Sequence, residues 1–134
     1  MKRSETALVL AKIAIGDNRR LDPPDARDTP ILDFWHEQIG DLDLRDSLTA
    51  VRDHFRNSGE YLRPVHVRSA VKEIRWSRIA GINDGDLTLD LDPDAPIGDY
   101  LATTRARASA IEGGMPIPQA IATIAPVKAI EAAQ

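Results

Sequence analysis

Apolar residues recur at intervals of three and four along the first 80 positions, the spacing of one face of an α-helix. A first helix is expected over Ser4–Ile15, with Leu8, Ala11, Ile15 and Ala7, Leu10, Ala14 on one broad stripe. Ser4 suits the N-cap, Glu5 suits the positive end of the helix dipole, and Gly16 supplies the stop. Residues 17–30 carry Asp22-Pro23-Pro24-Asp25 and read as a loop, because consecutive prolines deny both helix and strand. A second helix opens with Thr29 as cap and Pro30 in the first turn; Ile31, Phe34, Trp35 and Ile39 share a face, and Gly40 ends it. A third is expected over Leu44–Asn57, capped by Asp43, with Leu44, Leu48, Val51 and Phe55 as its stripe and Ser58-Gly59 as its end. A fourth runs from Pro64 to about Ala80 and buries Val67, Val71 and Ile74.

The texture changes at Gly81. Asp84, Asp86, Asp90, Asp92 and Asp94 alternate with small or apolar residues, and Pro93 and Pro96 interrupt, the composition of a solvated linker. Ile97, Tyr100, Leu101, Thr104, Ala108 and Ile111 then return at helical spacing, closed by Gly113-Gly114. Pro116, Pro118 and Pro126 break up the remainder, leaving Val127–Ala133 for a last marginal turn. Leu87–Leu91 alternates like a short strand but has no evident pairing partner. The expected fold is all-α: a small four-helix domain at 1–80, then an acidic linker and one or two amphipathic helices in a partly disordered tail at 81–134.

Charge sharpens that division. The net charge of −4 is uneven: residues 1–80 hold 14 Lys/Arg against 13 Asp/Glu, and residues 81–134 hold 3 against 8. Only Tyr100 among the aromatics lies beyond residue 80, so the core is placed in the first part. The chain has no cysteine, which excludes disulfides and thiolate chemistry. No apolar run approaches the ~20 residues that span a bilayer, and no signal-peptide pattern opens the chain, so a cytoplasmic location is expected.

Catalytic and metal-binding patterns are missing as well. His36, His54 and His66 make no close helical pair, and His36-Glu37 lacks the second histidine of a zinc-protease helix because position 40 is Gly. Asn83-Asp84-Gly85-Asp86 has the wrong ligand order for a calcium loop, and no glutamate closes it. The glycines form no phosphate-binding loop, and Ser47, Ser58 and Ser69 sit in no nucleophile elbow. A non-enzymatic protein without cofactor or metal is the expectation. Arg63, Arg68, Lys72, Arg75 and Arg78 on or beside the fourth helix offer a possible basic contact face. With the third helix they mimic a helix-turn-helix pair, so a small DNA-binding regulator stands as the alternative.

Several segments in order resemble one family. They are Glu5-Thr6-Ala7 through Ile15, Phe34-Trp35-His36, Gly40-Asp41-Leu42, Ala50-Val51-Arg52-Asp53-His54-Phe55, and Tyr61-Leu62-Arg63-Pro64 running into Val67-Arg68. Over about residues 5–75 this order resembles the bacteriophage replicative-helicase loader/inhibitor family, although the loop at 17–30 is longer than that pattern has. The resemblance implies an N-terminal helical domain with a flexible C-terminal part. It also implies a partner role on the replicative DNA helicase, loading or inhibiting it, with an origin-binding initiator as a second partner and the host bacterial cytoplasm as the location. Inhibition of another host protein is a further alternative. In the leading reading the tail helix makes the contact through Ile97, Tyr100, Leu101, Thr104, Ala108 and Ile111, either free until bound or packed on residues 4–80.

Overall fold

The computed structural model describes residues 1–17 and 30–128. The described secondary structure is helical throughout: α1 (Arg3–Gly16), α2 (Pro30–Ile39), α3 (Leu44–Asn57), α4 (Pro64–Ile79), a 3-10 turn (Asp84–Leu87), α5 (Ile97–Glu112) and α6 (Ile117–Thr123). Most of the expected loop at 17–30, including the Thr29 cap, and most of the last turn at 127–133 lie outside the described residues. No strand forms among the described residues. The alternating Leu87–Leu91 stretch ends the 3-10 turn instead, with Leu87 and Thr88 buried and Leu89 exposed.

The chain divides into two compact units, Met1–Ile74 and Arg75–Gln134. The division falls inside α4, earlier than the expected 80/81 boundary. The physical reason is that Arg75 and Arg78 bond to Glu112 and Ile79 packs in the second unit's apolar cluster.

In the first unit α1 packs on α2 and α3. The core joins Val9 and Ile13 of α1, Leu32, Trp35 and Ile39 of α2, Ala50 and Val51 of α3, and Val67 and Val71 of α4. The Phe55 ring lies so close to Gly16 that a Cβ there would stand 2.4 Å from it, so this glycine lets α3 close on the end of α1. Two helix faces depart from the periodicity reading. On α1, Leu8 and Ile15 are exposed while Thr6, Val9 and Ile13 are buried; on α2, Ile31 and Phe34 are exposed while Leu32 is buried. Both helices carry apolar residues on more than one face, so spacing alone leaves the rotation about the axis open. Thr6 is accommodated because its hydroxyl pairs with His36 Nδ1 at 2.7 Å. Helix α1 also starts one residue before Ser4, and the Glu5 carboxylate accepts the Lys2 N–H at 2.7 Å. Asp43 caps α3 as expected, accepting the Asp46 N–H at 3.0 Å.

The second unit buries few apolar side chains among the described residues: Leu87, Ile111 and Ala120 are buried, with Ile79, Ile82, Ala108 and Met115 packed around them. Its centre is a charge. Arg107 is 0% exposed, and its guanidinium donates to both Asp90 carboxylate oxygens at 2.6 and 2.9 Å. The remaining N–H groups reach Leu87 O at 2.6 Å and Ile124 O at 2.7 and 3.1 Å, with a longer bond to Ile121 O at 3.4 Å. One planar fork thereby ties α5 to the 3-10 segment and to the end of α6. Residues 81–96 are therefore not a solvated linker here: they supply Leu87 to the cluster and Asp90 to the fork. Helix α6 also departs from expectation, since Pro116 and Pro118 start it instead of breaking the chain, as prolines without an N–H to lose can in a first turn.

Helix α5 ends in a Schellman arrangement. Gly114, at φ 105°, donates to Ile111 O at 2.9 Å, and Met115 donates to Ala110 O at 3.0 Å.

Arg107→Ala leaves three carbonyls without their donor and empties the space the buried side chain fills, and should destabilise the second unit by about 2 kcal/mol in urea unfolding, with faster amide exchange across α5 and α6. Arg107→Lys keeps the charge without the fork and should recover only part of that loss. The hydrogen bonds from Arg107 hold the Asp90 carboxyl below its usual range. A depressed value in the folded state means the stabilisation is fully present above the ordinary aspartate value of ~3.9 and is lost as pH falls through the lower, folded one. The wild-type unit should therefore hold at pH 5 and weaken in acid below ~4, and Asp90→Asn should flatten that dependence in an acid titration followed by circular dichroism. Gly114→Ala forces a side chain into the left-handed region and should cost about 1 kcal/mol in thermal unfolding.

Candidate partner-binding surfaces

Helix α5 buries Thr103, Arg107 and Ile111, each four residues from the next. The face expected from hydropathy is displaced from this one by about one residue, or ~100° of helix rotation. The six expected contact residues consequently separate. Ile111 is buried and Ala108 packs beside it. Tyr100 is half-buried with its hydroxyl donating to Asp92 O at 2.8 Å, and Thr104 is half-buried. Ile97 and Leu101 remain exposed, at 78% and 57%, one turn apart at the start of the helix. Arg107 is the residue the periodicity missed. Its charge places it on the wet side of any hydropathy pattern, and only the pairing with Asp90 makes burial tolerable. The one sequence signal that bears on it is the excess of aspartates just before the helix.

The five basic positions do not form a uniform free face. Arg68 donates to both Asp41 carboxylate oxygens, at 2.6 and 3.0 Å, and to Gln38 O at 2.8 Å. Those hydrogen bonds, before any other influence, hold the Asp41 carboxyl below its usual range. Arg75 donates to the Glu112 carboxylate at 3.3 Å, and Arg78 to the Glu112 carbonyl at 2.6 Å, where it covers the C-terminal end of α5. Arg63 and Lys72 are exposed without an ion pair among the described residues. Bidentate and carbonyl-capping bonds use the donors that phosphate contact would need, so the helix-turn-helix reading loses most of its cationic face.

The histidines have structural work. The Arg63 N–H donates to His66 Nδ1 at 2.9 Å, so that nitrogen carries no proton and Nε2 carries it, 3.4 Å from the Glu60 carboxylate. His54 stacks on His66 with ring centres 5.0 Å apart and donates from Nε2 to Glu60 O at 2.7 Å. Together they shape the turn from α3 into α4. Among the described residues no group of three His, Asp or Glu side chains could hold a metal, and no helix is long and apolar enough to cross a membrane.

A groove of about 530 Å³ lies in the first unit where α1 meets α3. Ile15, Leu48 and Phe55 give it an apolar floor, and Lys12, Arg45 and Arg52 stand around it. No family model matches this chain, and no curated protein and no solved structure matches it either.

Proposed function

We propose that this protein is a non-enzymatic adaptor that acts by protein–protein contact, and that its partner is a replicative DNA helicase which it loads or inhibits. The helicase comes from the sequence resemblance over residues 5–75; the adaptor role rests on the surface. The observation that carries it is the exposed pair Ile97 and Leu101 at the start of α5. Two large apolar side chains one turn apart, on a helix locked from behind by Arg107, form a rigid anchor of the kind a partner pocket takes up. A preorganised helix loses less conformational entropy on binding than one that must fold first. Cytoplasmic action and an all-helical architecture fit this role.

Pull-down of a replicative helicase by the full-length chain tests the reading. Leu101→Asp, alone or with Ile97→Asp, should reduce retention by about tenfold or more, since an apolar anchor typically contributes ~2 kcal/mol. Helicity and melting temperature should stay unchanged, because both positions are exposed. Wild-type protein that retains no helicase removes the named partner. Retention unaffected by the double variant removes the α5 contact.

A further inference from the structure

We propose that the groove at the α1–α3 junction is a second docking surface, and that its occupant is an acidic amphipathic helix of another protein. The floor sets the apolar half of this chemistry. Ile15 is 82% exposed despite lying in a helix whose other large apolar residues are mostly buried, and it faces the groove with Leu48 and the Phe55 ring. The rim sets the charge. Lys12 and Arg45 make no ion pair among the described residues, and Arg52 only touches its exposed neighbour Asp53 at 3.1 Å. Several cations elsewhere in the fold are engaged instead: Arg3 pairs with Asp33, Arg68 with Asp41, Arg75 with Glu112 and Arg107 with Asp90. Three exposed cations around an apolar floor, two of them without an ion pair among the described residues, are complementary to a ligand with apolar residues on one side and carboxylates flanking them.

The occupant's conformation follows from backbone hydrogen bonding. An extended peptide needs a sheet edge to satisfy its N–H and C=O groups, and the described residues offer no strand. A helix satisfies its own backbone and presents apolar residues at three- and four-residue spacing to the floor. The volume of about 530 Å³ lies within the range of clefts that take a few large side chains. Nucleic acid fits less well, because phosphates would use the rim and leave the apolar floor uncovered. This surface is distinct from the Ile97/Leu101 face, so the helicase reading can fail while this proposal stands, and the reverse.

The probe is a synthetic amphipathic helix of about 18 residues, Leu on one face and Glu on the flanks, titrated into the full-length ¹⁵N-labelled protein. Saturable shifts should centre on Ile15, Leu48 and Phe55. Arg45→Glu with Arg52→Glu should weaken binding about tenfold or more at unchanged helicity, and a peptide with Lys in place of Glu should bind wild type at least about tenfold more weakly. If the double variant fails to fold, Ile15→Glu at an exposed position should give the same loss. No saturable binding, equal affinity for both peptides, or shifts centred elsewhere would overturn the proposal. So would duplex DNA producing the same groove shifts, or a solution dimer that the double variant dissociates. Groove signals that move when residues 18–29 are replaced by Gly/Ser, with no peptide present, would assign the site to the chain itself and also overturn it.

Discussion

Arg107 can be buried only because every direction its guanidinium points in holds an acceptor. An unpaired cation in that position would be prohibitively costly, so the Asp90 carboxylate and the carbonyls of Leu87 and Ile124 must be in place together. That requirement fixes three otherwise weak pieces of chain. The 3-10 turn lacks the length to persist alone, α6 is only seven residues, and three buried apolar side chains make a thin core. The fork supplies directional bonds where burial is scarce. It also sets the rotation of α5, and with it which side chains the helix leaves exposed.

The same principle sorts the surface. Cations with a carboxylate or a helix end within reach serve the fold: Arg68 on Asp41, Arg75 and Arg78 on Glu112. Lys12 and Arg45 beside the α1–α3 groove make no such pair among the described residues. A charged side chain is thus informative only through its partners, and composition alone cannot rank the 17 Lys and Arg residues. Two surfaces emerge with different chemistry. The start of α5 presents apolar side chains beside Asp92, Asp94 and Asp99, and the groove presents an apolar floor inside a cationic rim.

Helix positions were largely legible from punctuation. Asp43 caps α3, Pro64 opens α4, and the glycines at 81 and 114 take positive φ after α4 and α5. These are local effects, settled within a few residues. Faces were legible only where one stripe was available. On α3, Val51 is buried and Leu44, Leu48 and Phe55 pack on the core; on α4, Val67 and Val71 are buried with Ile74 beside them. On α1 and α5 the apolar residues surround more of the axis, and the buried stripe includes Thr6, Thr103 and Arg107.

The sequence by itself determined an all-helical chain, most helix ends, and a change of character near residue 80. Its caps, prolines and glycines act on their own neighbours, so no distant contact is needed to read them. Tertiary structure decided what the aspartate-rich stretch becomes, because Asp90 anchors a buried cation only when Arg107, 17 residues along the chain, arrives opposite it. It also decided which apolar residues remain outside. Ile15, Ile97 and Leu101 share the hydropathy of their buried neighbours, and only the rotation imposed by packing and by the buried fork leaves them facing solvent.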